Sequence, residues 1–188
     1  MTRVIAGVLR GRRIHTPGGT ATRPTSDRTR EAVFSALASR GIVEGARVLD
    51  LYAGSGALGI EAVSRGAVAA TLVDHDRRAL AAMRRTVSDL GLHQVRVQAR
   101  DVRAYLAGGA REHELVFLDP PYDLGQDVLG AVLAGLARGW LAEDAAVVVE
   151  RSVRSGMPPW PDGLSLEWSR VYGETTIWVA RATDLPTS

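Results

Sequence analysis

The chain has 188 residues, of which 46% are apolar, 23% charged and none cysteine, so it is bounded to one or at most one and a half soluble domains, and disulfides and thiolate metal sites are excluded. No apolar run approaches the ~18 residues that span a bilayer, and Arg3, Arg10, Arg12 and Arg13 do not precede an apolar leader, so neither export nor a membrane partner is expected and a cytoplasmic location is. The net charge of +2 is uneven: residues 1–30 hold seven Arg against Asp27, a sum of +6, while residues 31–188 sum to −4.

Arg3 to Val8, then Leu9 to Arg12 and Arg13 to Thr16, read as two short strands around a Gly-containing turn, an Arg-rich hairpin. A loop through Pro17-Gly18-Gly19-Thr20 and Arg23-Pro24-Thr25 follows. Ser26 or Asp27 then caps a helix with Ala32, Val33, Ala36 and Leu37 on one face, ended by Gly41. From Arg47 onward β-type apolar runs alternate with helical stretches. Val48-Leu49 precedes a helix near 57–65, residues 70–73 one near 76–90, and residues 95–97 a short one near 102–107. Residues 115–118 precede a helix near 126–138, and residues 145–149 form the fifth strand. Such repeats imply an α/β fold with a parallel sheet covered on both faces. Leu164 to Val171 and Thr175 to Ala180, around Tyr172-Gly173-Glu174, add an antiparallel hairpin. The expected division is an N-terminal arm over 1–24, one domain over 25–183 and a tail over 184–188.

Between the first strand of this series and its helix lie Gly54, Gly56 and Gly59, where the backbone can bend tightly and admit a ligand. With Asp74 about twenty residues on, the turn also satisfies a dinucleotide-binding fingerprint, so a nicotinamide oxidoreductase competes. Asp50 argues against it, because a carboxylate there suits an ammonium and sits poorly beside a pyrophosphate. Asp74 can accept from ribose hydroxyls. Asp101 can accept from an adenine amine, or simply cap the helix at 102–107, and Asp76 reads as another N-cap. The three strand-end carboxylates together describe S-adenosylmethionine, with Tyr52, Ser55, His75 and Val102 completing the expected contact set.

Leu118-Asp119-Pro120-Pro121-Tyr122 is the most specific stretch in the chain. A strand must stop at two prolines, which fixes the Asp119 carboxylate and the Pro120 carbonyl side by side. Two such acceptors suit a planar exocyclic NH₂, a poor nucleophile whose lone pair they would hold toward a sulfonium methyl. Tyr122 offers a ring face for an unstacked base, or else packs at the start of a loop. No metal is expected, since His15, His75, His93 and His113 show no ligand spacing.

An Asp-(x)₃-Gly-x-Gly turn followed by Asp-Pro-Pro-Tyr resembles the class I, Rossmann-like amino-methyltransferases. Within them the chain resembles the RsmD-type family, the bacterial 16S ribosomal RNA guanine-N2 methyltransferases. The likeness runs through Arg3 to Gly7, Arg10 to Arg12, Arg23 to Glu31, Asp50 to Glu61, Asp119 to Tyr122 and Gly139 to Leu141, the Arg23–Glu31 stretch being the discriminating one. It implies a mainly parallel seven-stranded sheet, S-adenosylmethionine as donor and S-adenosylhomocysteine as product. It also implies methylation of a guanine N2 in 16S ribosomal RNA on an assembled small-subunit particle. By motif match Asp50, Gly54, Gly56 and Asp74 become cofactor contacts and Asp119, Pro120, Pro121 and Tyr122 the catalytic tetrapeptide. Family members often carry Asn in place of Asp119, and a carboxylate there can also take the departing proton.

Arg10, Arg12 and Arg13, with Arg23, Arg28 and Arg30, make a charge-dense arm suited to RNA phosphates, although some of these arginines could instead pack over the cofactor pocket or pair with Asp27 and Glu31. Glu61, Trp140, Trp160, Trp168 and Trp178 read as structural. Adenine-N6 methylation of DNA or methylation of a protein glutamine amide would use the same tetrapeptide. The roughly sixty residues between Gly59 and Asp119, however, are filled by strand–helix units and leave no room for a DNA target-recognition segment. A non-catalytic RNA-binding module would need the arm without the glycine turn. Without a large apolar surface signal, a monomer is expected.

Overall fold

Apolar runs too short to be helices and too continuous to be half-exposed strands require a sheet covered on both sides, and the computed structural model, which describes residues 2–18 and 27–183, contains one. After β1 (Thr2–Arg3), β2 (Arg13–Ile14) and α1 (Asp27–Ala38) come β3 (Arg47–Leu51), α2 (Ala57–Ser64), β4 (Ala69–Asp74), α3 (Arg77–Asp89), β5 (Val95–Ala99) and α4 (Val102–Leu106). The chain continues through β6 (His113–Leu118), α5 (Gln126–Leu136), β7 (Leu141–Ser152), β8 (Leu164–Tyr172) and β9 (Thr175–Ala182). The seven-stranded sheet has the order β5-β4-β3-β6-β7-β9-β8, parallel from β5 through β7 and antiparallel in its last two pairings. This is the mainly parallel seven-stranded sheet with an antiparallel C-terminal hairpin that the resemblance implies. Its topological switch lies between β3 and β6, where a doubly wound sheet leaves a crevice beyond its strand ends.

Alternation along β3 divides the core. Val48 packs with α1, α2 and α3 on one face, including Phe34, Ile60 and Met83, while Leu49 and Leu51 pack with Val102, Leu129 and Leu133 on the other. Phe34 meets Phe117 at 5.5 Å between ring centroids. Strand β7 is longer than its Val-rich centre because Leu141 pairs with His113 at one end and Ser152 with Thr175 at the other. Trp140 is buried, with its indole N–H donating to the Leu106 carbonyl at 3.1 Å. No helix among the described residues is long and apolar enough to cross a membrane.

The N-terminal hairpin differs from the two strands expected: only Thr2–Arg3 and Arg13–Ile14 pair, and the residues between them bend over α2. The Ile5 and Ala6 amides donate to Glu61 at 2.8 and 3.0 Å, and the Leu9 amide to Ser64 Oγ at 3.0 Å. A Cβ on Gly7, at φ +80°, would lie 1.8 Å from the Ser64 carbonyl oxygen, so only glycine fits. Val4 and Ile14 join the same core as α1 and α2, so the hairpin is a strap on the domain. The boundary placed at residue 24 and the tail 184–188 lie outside the described residues.

Candidate functional site

The glycine turn is held at three points. Tyr52 and Gly54 both take left-handed backbone, at φ 59° and 56°, and Gly56 at φ 74° opens α2. Gly59 donates its amide to Asp50 Oδ2 at 2.9 Å, and a Cβ on it would lie 2.3 Å from Leu72, so α2 can approach the sheet only without a side chain there. The Gly54 amide donates to Asp74 Oδ2 at 2.8 Å and the Asp76 amide to Asp74 Oδ1 at 2.9 Å. A Cβ built on Gly54 meets nothing within 4 Å, so this side of the turn is open to a ligand while Gly56 and Gly59 face the core.

The carboxylates at the strand ends have distinct environments. Asp50 is 1% exposed, and burial, opposed by its Gly59 bond and reinforced by the Asp74 charge, pushes its carboxyl up to about 7. Its Oδ1 is buried with no partner in the protein, an acceptor left for a ligand donor. Asp74 retains a lone pair on each oxygen after its two amide bonds. Asp101 caps α4, accepting from the Arg103 and Ala104 amides at 3.0 and 3.1 Å, and Asp76 caps α3 as expected. Tyr52 and Ser55 are half-buried, His75 is exposed, and Val102 is buried beneath the site. Burial holds the Tyr52 phenol up at about 12, so it remains a neutral donor. An open glycine face, an orphaned buried carboxylate oxygen and two further strand-end acids fit S-adenosylmethionine. Among the described residues, no group of three or more His, Asp or Glu is placed to hold a metal ion.

Leu118 pairs with Leu51 on one side and Val149 on the other, so Asp119, just past β6, stands level with Tyr52, just past β3, and with Glu150, which is still within β7. Burial, the Glu150 charge and then the Asp50 charge raise the Asp119 carboxyl well above the usual range. Pro120 is buried, Pro121 is exposed, and the Tyr122 side chain is 62% exposed, which excludes a core-packing role for its ring. Behind this loop lies Arg151, 5% exposed, whose guanidinium donates to the Leu124 carbonyl at 2.7 Å and more weakly to that of Pro121 at 3.4 Å.

Of the expected phosphate contacts, Arg10, Arg12, Arg13 and Arg28 are exposed, and Arg23 lies outside the described residues. Arg30, expected either on a phosphate or paired with Asp27, takes the second course, which corrects its place among the phosphate contacts. It is 1% exposed, donates to the Arg3 carbonyl and to Asp27, and lies 3.7 Å from the fully buried Glu61, so it anchors α1 to the hairpin and cannot meet a phosphate. Glu61 also accepts from Arg65 at 2.8 Å, and Arg65 in turn donates to Glu31. Sequence reasoning missed Arg151, Glu150 and Gln126. An arginine after a Val-Val-Val-Glu run carries no local mark of the loop it will meet.

The family described as conserved hypothetical protein 95 matches residues 2–181. Ribosomal RNA small subunit methyltransferase D of Escherichia coli (strain K12) is 38% identical over 173 residues, covering 92% of this chain and 85% of that protein. The solved structure of the Escherichia coli protein yhhF superposes with a TM-score of 0.86 at 34% identity, over 96% of this chain and 97% of that one. Magnesium protoporphyrin IX methyltransferase of Synechocystis PCC 6803, solved with bound SAM, shares the fold at a TM-score of 0.66 and 16% identity, over 83% and 79% of the two chains.

Proposed function

Because the chain belongs to the conserved hypothetical protein 95 family, the RsmD-type methyltransferases, we propose that it methylates the exocyclic N2 of one guanine in 16S ribosomal RNA, presented on an assembled small-subunit particle. S-adenosylmethionine-dependent methylation of ribosomal RNA follows from the family.

The observation that carries it is the placement of Asp119 and Pro120 at the switch between β3 and β6, beside the open glycine turn. S-adenosylmethionine supplies an electrophilic methyl group when bound. Asp50 Oδ1 is the acceptor for its ammonium, Asp74 for its ribose hydroxyls and Asp101 for its adenine amine. Asp119 and the Pro120 carbonyl accept the two N–H bonds of the target amine and orient its lone pair in line with the methyl. The raised proton affinity of Asp119 makes its ionised form a competent acceptor for the proton that the methylated nitrogen must lose. The exposed Tyr122 ring gives the unstacked base a face to lie on, and Arg10, Arg12, Arg13 and Arg28 meet the backbone phosphates.

The test supplies labelled S-adenosylmethionine with four acceptors: small subunits from cells lacking this enzyme, naked 16S RNA, genomic DNA and ribosomal protein. Label in the subunits above naked RNA is the expected result. Label in DNA or protein instead overturns the substrate.

A further inference from the structure

Of the seven large apolar side chains that stand exposed among the described residues, three lie on two loops beside Asp119: Tyr122 at 62%, Val153 at 44% and Met157 at 55%. These loops are fastened to each other. Arg151, at the end of β7, holds the Pro121 and Leu124 carbonyls, while Gln126, at the start of α5, donates back to the Ser155 and Met157 carbonyls. The second loop is further fixed by the Val153 amide on the Glu174 carbonyl at 3.0 Å and the Ser155 amide on the Ser152 carbonyl at 2.9 Å. Pro159 packs so closely on α5 that a Cβ on Gly130 would lie 3.2 Å from its ring. Val153 and Met157 are thus apolar groups held in the solvent by a braced loop, with the exposed Arg154 between them.

We propose that the Val153–Met157 loop is the second wall of the target site and receives the RNA strand next to the methylated guanine. The proposal rests on the reading that this protein methylates ribosomal RNA. A base drawn out of its stack leaves its neighbours without a stacking partner. The apolar Val153 and Met157 can cover the uncovered base face, and Arg154 can pair with the adjoining phosphate. Cross-links from Arg151 and Gln126 keep this wall in register with Tyr122, so the enzyme meets RNA on a preformed surface. An RNA strand supplies both chemistries at neighbouring positions, a base face for Val153 and Met157 and a phosphate for Arg154.

A photoreactive benzophenone side chain placed at Met157 tests this, with the same group at Val68, exposed beyond the opposite end of the strands, as control. The probe is small subunits from cells lacking the enzyme, with S-adenosylhomocysteine present. Cross-links from position 157 should map to nucleotides adjoining the methylated guanine, and position 68 should give none. In parallel, Arg154→Ser with Met157→Ser should raise KM for subunits about tenfold with S-adenosylmethionine affinity unchanged. If the wild-type enzyme methylates subunit RNA but position 157 cross-links to ribosomal protein, or to RNA no more than position 68 does, the wall is overturned. If the wild-type enzyme labels no RNA, the reading beneath it falls, and this proposal with it.

Discussion

Asp74 Oδ2 accepts the Gly54 amide at 2.8 Å, tying the end of β4 to the glycine whose outer side is open. One carboxylate therefore shapes the turn and offers its remaining lone pairs to a ribose. Asp74→Ala should weaken S-adenosylmethionine binding by roughly tenfold to a hundredfold, the equivalent of one charge-assisted bond of about 1.5–3 kcal/mol. Calorimetric titration measures this, and unchanged affinity would remove Asp74 from the cofactor site.

Asp119→Ala should lower kcat by orders of magnitude with cofactor affinity nearly intact, because Asp119 holds the target amine and not the donor. Burial, Glu150 and Asp50 all raise its proton affinity, so the ionised acceptor is lost as pH falls through a point above the ordinary Asp range. The acid limb of kcat should lie there, and Asp119→Asn, which cannot titrate, should abolish it. An acid limb that persists in the Asn variant belongs to another group.

The Asp50 carboxyl, at about 7 when folded against 3.8 as its ordinary value, binds a proton more tightly in the native state. Its contribution to stability is full below pH ~4 and is lost as pH rises to ~7, a swing on the order of a few kcal/mol. Asp50→Asn keeps an acceptor for the Gly59 amide and removes the linkage. Denaturant unfolding of both proteins at pH 4 and pH 7.5 should show the variant gaining on the wild type at the higher pH.

The glycine turn and the Asp-Pro-Pro-Tyr stretch were legible because each is a local backbone requirement: a left-handed residue before a helix, and a strand halted by two prolines. Asp76 as a cap was legible for the same reason. For Arg30 only the Asp27 pairing was legible, as one of two alternatives, since what separates it from Arg10 is a buried Glu61 thirty-one residues away and a carbonyl on the first strand. Arg151 escaped notice similarly, because its partners Pro121 and Leu124 come near only once β6 and β7 pair. The hairpin was overextended, as its alternating residues bind α2 through Glu61 and Ser64 instead of one another.

Arg10, Arg12 and Arg13 stand exposed on that strap. Replacing all three by Ala should weaken RNA binding and reduce the slope of log affinity against log salt by about 0.7–0.9 for each phosphate no longer neutralised. Filter binding across a salt series reads the slope, and an unchanged one would make the strap purely structural.

The most direct test of the account is the identity of the methylated nucleoside. Small subunits from cells lacking the enzyme, incubated with it and labelled S-adenosylmethionine, are digested and their nucleosides separated. The account predicts that the label co-migrates with N2-methylguanosine and is absent with Asp119→Ala. Label in any other nucleoside, or undiminished label with the variant, contradicts it.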